Sequence, residues 1–133
     1  MSQENVEIVR RFWNAWERRD LETVFAVYDP DIVWVQHSGP IEIQGAHLGF
    51  DGVRRVWREW LESFEKVETR AETFIDAGDS VLVSWRMSGR GKASEAAVDV
   101  SGWSLHTLRN GLLIRVDIFD TKAEALESAG LTE

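Results

Sequence analysis

The chain has 133 residues, a formal net charge of −8 and no cysteine. Its length suits a single domain, which we assign to residues 1–133. The negative charge argues against nucleic acid as a partner, because phosphate contacts need an excess of Lys and Arg. The lack of cysteine excludes thiolate chemistry and fits a cytoplasmic location. No apolar run is long enough for a signal sequence or a membrane span, so no membrane partner is expected.

The first half of the chain carries the helical patterns. Apolar residues recur at helical spacing over residues 4–19, which predicts an amphipathic helix. A cap at Asp20 predicts a shorter second helix that ends before Pro30. A cap at Asp51 opens a third helix with the clearest period, whose arginines Arg54, Arg55 and Arg58 we expect to form a solvated face.

Alternating and β-branched segments predict the strands. We expect a glycine-containing loop over residues 41–50 to cover one end of the fold, and a polar connection over residues 89–96. Thr121, with Glu124 three residues later, predicts a short last helix stopped by Gly130. The strands are predicted over residues 31–37, 67–77, 80–89 and from Val98 onward.

Residues 103–120 predict a long hairpin, because Asn110-Gly111 is a strong signal for a two-residue turn. Because side chains alternate along a strand, the residues of each arm divide between the two faces of the sheet. Before the turn, Ser104, His106 and Leu108 oppose Trp103, Leu105 and Thr107; after it, Ile114, Val116 and Ile118 oppose Arg115, Asp117 and Phe119. Helices followed by a run of strands predict an α+β fold with helices on one face of a curved sheet.

Four segments of the chain resemble the NTF2-like superfamily, and within it the SnoaL-like group that includes relatives of ketosteroid isomerase. They are VEIVRRFWNAWERRDLETVFAVYDPDIVW, FDGVRRVWREW, FIDAGDSVLVSW and RNGLLIRVDIFDTKAEALESAGL. The resemblance implies a cone-shaped α+β fold, in which a curved antiparallel or mixed sheet wraps around the N-terminal helices and leaves an apolar pocket. It also implies a homodimer through the outer face of the sheet.

Members of that superfamily include isomerases, polyketide cyclases, dehydratases and epoxide hydrolases, as well as proteins that only bind a ligand. The resemblance therefore implies acid–base chemistry without a cofactor on a carbonyl compound, or binding alone. The two hypotheses for this chain are a pocket enzyme of that kind and a non-catalytic ligand-binding or dimeric interaction module.

Three side chains are candidates for handling protons. Asp117 lies between Val116 and Ile118, where burial in the pocket would raise the pKa of its carboxyl group; the alternatives are an ion pair with Arg115 and exposure on the outer side of the sheet. His106 can relay a proton or orient a substrate oxygen, or it can be hydrogen-bonded in the core or lie at a dimer contact. His37 lies at a strand end, either at a pocket mouth or at the surface.

The remaining histidine, His47, is expected at the surface of the glycine-containing loop, with a lid position as the alternative. No H-x-x-x-H or H-x-H spacing occurs, so we expect neither a metal site nor a cofactor.

The seven tryptophans predict a cavity with flat walls, suited to a small hydrophobic or aromatic ligand. Most aromatic residues at periodic positions are simply core. The residues predicted to contact the ligand are Trp13, Tyr28, Trp34, Trp57, Trp85 and Trp103.

Overall fold

In the computed structural model, which describes residues 2–62, 64–92 and 96–131, helices dominate the first half of the chain and strands the second. The helices are α1 (Ser2–Glu17), α2 (Leu21–Val27), α3 (Gly49–Leu61) and α4 (Lys122–Ser128). The strands are β1 (Tyr28–Gln36), β2 (Gly45–Leu48), β3 (Phe64–Asp76), β4 (Ser80–Gly91), β5 (Ala97–Arg109) and β6 (Leu112–Phe119). No helix in the described part of the chain is long and apolar enough to cross a membrane.

The strands form one curved, unclosed sheet in the order β2-β1-β6-β5-β4-β3. The pairing of β1 with β6 is parallel and every other pairing is antiparallel. This confirms the α+β class and the mixed sheet. A parallel neighbour for β1 requires a crossover, which α3 and the three later strands provide.

The start of β1 differs from the prediction, since the strand begins at Tyr28 and includes Pro30. The ladder between β1 and β6 is interrupted from Tyr28 to Val33, so the missing N–H of Pro30 leaves no ladder hydrogen bond unmade.

Two other predictions need correction. Residues 41–50 are not only a loop, because β2 pairs there with the end of β1 as an edge strand. Asp51 is not a cap: α3 begins two residues earlier, and Asp51 lies exposed in its first turn beside Arg54.

The predicted connection over residues 89–96 shortens because β4 continues to Gly91, and residues 93–95 lie outside the described part of the chain. The predicted cap of α4 is confirmed: Thr121 Oγ1 accepts a hydrogen bond of 3.3 Å from the Glu124 N–H.

The turn between β5 and β6 is confirmed as predicted, with positive φ at both Asn110 (53°) and Gly111 (78°). The pairing that leaves the turn then shifts by one residue: Leu108 pairs with Leu113, but Thr107 pairs with Arg115. Ile114 is therefore the extra residue of a β-bulge, and Leu113 takes the place predicted for Ile114 on the face shared with Val116 and Ile118.

The two faces of the sheet bury different clusters. The inner face packs against α1 and α3 in the main core, with Val81, Val83, Val116 and Leu113 fully buried. The outer face carries a smaller cluster, in which Leu82, Leu105 and Phe119 pack against Ala125 and Leu126 of α4.

A close approach between Trp85 and Gly102 fixes one wall of the inner face. A Cβ at Gly102 would lie 2.3 Å from Trp85 Cζ2, on a ring that is 6% exposed and cannot move away freely. Only glycine leaves room for the indole to lie on the neighbouring strand.

We therefore expect Gly102→Ala to lower the free energy of unfolding by about 1–3 kcal/mol through overpacking. Urea denaturation followed by far-UV circular dichroism measures the change. Ser101→Ala, at the exposed neighbouring position, is the matched control, and equal stability of the two variants would contradict the packing argument.

Candidate functional site: an indole-lined cavity

A cavity of about 80 Å³ lies between α1, α3 and the inner face of the sheet. Six of the seven tryptophans line it, so its walls are flat and apolar. The few polar side chains among its lining residues come from the sheet. The lining residues are Phe12, Trp13, Trp16, Trp34, Gln36, Val56, Trp57, Trp60, Leu61, Thr69, Trp85, Met87, Ser104, His106 and Ile118.

His106 is the ionisable side chain of the cavity, and its hydrogen bonds define its tautomer. Trp13 Nε1 donates to His106 Nε2 at 3.1 Å. Because an indole nitrogen can only donate, Nε2 carries no proton and the proton of the neutral ring is on Nδ1. The Ser104 hydroxyl, 3.0 Å from the same Nε2, donates to it as well. The buried Nδ1–H has no partner among the described residues.

Burial keeps this histidine uncharged. The side chain is 1% exposed, and desolvation lowers its pKa from 6.5 to about 3, although the negative charge of Asp117 works in the opposite direction. At neutral pH, His106 is therefore a hydrogen-bond donor through Nδ1 and a poor base.

A second N–H in the cavity wall is also unmatched. The buried Trp85 Nε1–H has no partner among the described residues, whereas Trp34 Nε1 donates to Gln36 Oε1 at 2.8 Å and Trp60 Nε1 to Met87 Sδ at 3.1 Å. A buried donor without a partner costs about 1–3 kcal/mol. Two such donors in one cavity favour a ligand that brings acceptors.

Asp117 lies outside the cavity, on the outer face of the sheet, where it pairs across the strands with Leu105. Its carboxylate accepts from Arg115 Nε at 2.8 Å, from Arg115 Nη2 at 3.0 Å and from His37 Nε2 at 2.9 Å. The His37 ring stacks on Phe119 with the ring centroids 4.5 Å apart. The structure thus brings Asp117 and His37 together and separates both from His106.

The bulge at Ile114 is the physical reason for this separation. An unbroken ladder from the Asn110-Gly111 turn would pair His106 with Arg115 and would turn Asp117 toward the cavity. The extra residue pairs His106 with Val116 instead, and Arg115 and Asp117 then face outward. This placement matches the alternative interpretation of Asp117, which is an ion pair with Arg115.

Four of the six predicted ligand contacts line the cavity, and two do not. Trp13, Trp34, Trp57 and Trp85 line the cavity. Trp103 does not, because it packs against α4 on the outer face. Tyr28 is buried in the main core, stacked on Phe12 at 5.4 Å between centroids, and burial raises the pKa of its hydroxyl group.

Trp16, Trp60 and Gln36 line the cavity but were not predicted as ligand contacts. Trp16 and Trp60 each follow a predicted contact by three residues on the same helix, so helical spacing was the available signal.

His47 is buried, at 5% exposure, and not at the surface as expected. Its Nε2–H donates to the Ile43 carbonyl at 2.7 Å, while Arg55 Nη2 donates to its Nδ1 at 3.1 Å. It therefore holds the 3₁₀ turn at Ile41–Ile43 against α3. Within the described residues, no group of three or more His, Asp or Glu side chains is placed to hold a metal ion.

Fold and cavity together define a class: small α+β proteins whose curved sheet encloses an apolar pocket. The family model of the SnoaL-like domain matches residues 9–116, and the chain belongs to that family. No protein of curated function matches the chain.

Solved structures show the same fold. An NTF2-like protein from Burkholderia pseudomallei has a TM-score of 0.78 at 22% identity, covering 93% of this chain and 95% of its own. A putative SnoaL-like polyketide cyclase from Jannaschia sp. has a TM-score of 0.76 at 25% identity, covering 96% and 92%. TerC, co-crystallised with polyporic acid, has a TM-score of 0.75 at 19% identity, covering 96% and 98%. These similarities confirm the NTF2-like fold.

The depressed pKa of His106 predicts a pH dependence of stability. Between pH 6.5 and 3, the unfolded chain binds a proton at this histidine and the folded chain does not, so acid favours unfolding. At pH 5.0 the cost is about 2 kcal/mol relative to pH 7.5, since each pKa unit corresponds to about 1.36 kcal/mol.

The variant His106→Gln cannot titrate, so it should lose about 2 kcal/mol less than the wild type over this interval. Urea titrations of both proteins at pH 7.5 and 5.0 measure the difference, and the carboxylates titrate in both. Equal losses in the two proteins would show that His106 is not buried in its neutral form.

Proposed function

We propose that the protein binds a small, flat, hydrophobic molecule that carries at least one oxygen acceptor, such as a carbonyl group, in the indole-lined cavity. The observation that carries this proposal is the buried Nδ1–H of His106, which has no partner among the described residues although its ring lines the cavity. A ligand oxygen that accepts from this donor would remove the cost of leaving it unmatched.

The walls support a planar ligand. The rings of Trp16 and Trp57 lie 4.5 Å apart, and Trp57 and Trp34 meet edge to face at 6.1 Å. Such rings offer large rigid surfaces at low entropic cost, and a flat molecule contacts them better than a branched one. Their rigidity also limits how far the cavity can adapt.

The volume sets the scale of the ligand. A buried water needs about 10–15 Å³ on the same scale, so about 80 Å³ has room for about six waters. This is the bulk of one small ring compound. A larger ligand would require movement of a partly buried lining residue, such as Trp60 or Leu61.

Binding is better supported than proton abstraction. Among the described residues that line the cavity, His106 is the one ionisable side chain, and its low pKa makes it a weak base. A neutral imidazole can instead polarise a carbonyl group by donating a hydrogen bond. An enzyme built on this cavity would therefore use the His106 N–H to polarise the carbonyl group of its substrate. A proton removed from the substrate would then be accepted by solvent or by another group of the substrate.

Similar proteins are consistent with this ligand class. TerC was co-crystallised with polyporic acid, and the protein from Jannaschia sp. is described as a putative polyketide cyclase. Both descriptions belong to those proteins, and they support a ring compound rather than any particular substrate here.

The proposal predicts a preference for a ketone over its hydrocarbon analogue. We expect 1-indanone to bind more tightly than indane, because only the ketone can accept from His106. His106→Phe should remove most of this preference, a loss of about tenfold for the ketone with little change for indane. Calorimetric titration of both compounds measures it.

The control variant is His37→Asn, which changes a histidine outside the cavity and should keep the ketone preference. Equal binding of the two compounds to the wild type would contradict the proposed role of His106. Failure of both compounds to bind would contradict the cavity as a ligand site.

The resemblance to NTF2-like proteins also supports a homodimer through the outer face of the sheet. On that face Val33 and Val35 lie half-buried beside Arg115 and Asp117. Placing a carboxylate among these residues opposes burial against a second copy.

We therefore expect the wild type to have twice the mass of the chain in light scattering, and Val35→Glu to shift it toward the monomer. Ile41→Glu changes a residue that is 79% exposed, away from this face, and is the control. A wild-type protein of single-chain mass would contradict the dimer.

A further inference from the structure

A second concave surface lies outside the cavity, behind its Trp16–Trp57 wall. This groove of about 460 Å³ is formed where α1 and α3 end and α2 begins. Trp16, Trp57 and Leu61 line both the groove and the cavity. The residues that line the groove are Trp16, Arg19, Leu21, Arg54, Trp57, Arg58, Leu61 and Glu62.

The charge of the groove is opposite to that of the protein. The chain as a whole has a formal net charge of −8, whereas the groove carries Arg19, Arg54 and Arg58 against the single carboxylate of Glu62. Its floor is apolar, and Leu21 at its edge is 43% exposed. An apolar floor beside three guanidinium groups suits a molecule with an apolar body and an anionic end.

Arg19 occupies a backbone position that ordinarily favours glycine. Its φ is 57°, and the end of α1 closes around it through hydrogen bonds from Arg19 N to the Trp16 carbonyl (3.0 Å) and from Asp20 N to the Ala15 carbonyl (2.8 Å). This is the Schellman pattern, in which the residue of positive φ is usually glycine. An arginine here retains strain that glycine would relieve.

That backbone position holds the Arg19 guanidinium group in the groove. Its Cζ lies 4.4 Å from the centroid of the Trp16 ring, and Nη1 donates to the Trp16 carbonyl at 2.6 Å. Capping the helix end uses one donor, and the guanidinium group has donors left for a ligand. Burial lowers the pKa of Arg19, as expected for a cation that has no ion pair among the described residues.

The other two arginines are also available to a ligand. The guanidinium group of Arg58 has neither an ion pair nor a hydrogen bond to any residue in the described part of the chain. Arg54 lies over the Phe25 ring at 4.4 Å, and its contact of 3.3 Å with Asp51 is exposed and therefore weak in water. The C-terminal ends of α1 and α3 favour cations in any case, but that effect does not account for an apolar floor beneath them.

The geometry points to a site in this groove for the carboxylate or phosphate group of a small amphiphilic anion, with Arg19 and Arg58 as its main contacts and the Trp16–Trp57 wall beneath its apolar part. The site goes beyond the ligand proposed for the cavity and does not require that ligand to be bound.

Three naphthalene compounds separate the contributions of charge and ring. We expect 2-naphthoate and 2-naphthyl phosphate to bind about tenfold more tightly than neutral 2-naphthamide in calorimetric titrations at low salt. The preference should shrink as salt is raised, because the groove is open to solvent. Comparing the two anions distinguishes a carboxylate site from a phosphate site.

Two arginine variants and one matched control locate the effect. Arg19→Gly and Arg58→Gln should each weaken binding of the preferred anion about tenfold while leaving naphthamide binding unchanged. Arg109→Gln removes the same charge from an exposed position on β5, outside the groove, and should leave both affinities unchanged. Arg19→Gly also relieves the strain of the positive φ and so changes the stability of the protein. Binding is therefore measured at a temperature well below the midpoint of thermal unfolding of every variant.

The outcomes are distinct. Loss of anion preference in the groove variants but not in Arg109→Gln supports the site. Equal affinity of the wild type for naphthoate, naphthyl phosphate and naphthamide overturns it, as does an unchanged preference in both groove variants. Because His106→Phe leaves the groove intact, the cavity proposal can fail while the groove site stands, and the reverse also holds.

Discussion

The hydrogen bond from Trp13 to His106 is the interaction on which the inner side of the molecule depends. It joins α1 to β5 across the core and fixes which imidazole nitrogen carries the proton. An indole can only donate, so the ring must accept at Nε2 and present its proton at Nδ1. One contact between a helix and the sheet thereby decides the chemistry that the cavity can offer, which is donation rather than proton abstraction.

Much of the fold could be predicted because its signals are local. Helical spacing in α1 and α3, alternation in β3 to β5 and the Asn110-Gly111 turn each require only neighbouring residues. The edge strand β2 was not predictable in this way, since its four residues include a glycine and carry little pattern of their own. Its pairing with β1 is a tertiary effect, reinforced by the buried hydrogen bonds of His47.

The site was only partly predictable, and a single bulge explains most of the difference. Alternation shows which residues of one strand share a face, but the relation between two strands depends on their register. The extra residue Ile114 changes that register within three residues of Asp117. Four of the six predicted ligand contacts line the cavity because helical position or alternation placed them inward, whereas Trp103 and Tyr28 required knowledge of α4 and of the start of β1.

The ion pair of Asp117 with Arg115 has a consequence for the opposite side of the sheet. Asp117 and His106 are on adjacent strands and point to opposite faces, yet the carboxylate still opposes the desolvation that keeps the imidazole neutral. A sheet is one peptide layer thick, and such a layer screens charge far less than water does. The charge of Asp117 on the outer face therefore contributes to the electrostatic potential in the cavity. An event that released Arg115 from the buried Asp117 carboxylate would change the electrostatic potential at His106 without touching any residue that lines the cavity.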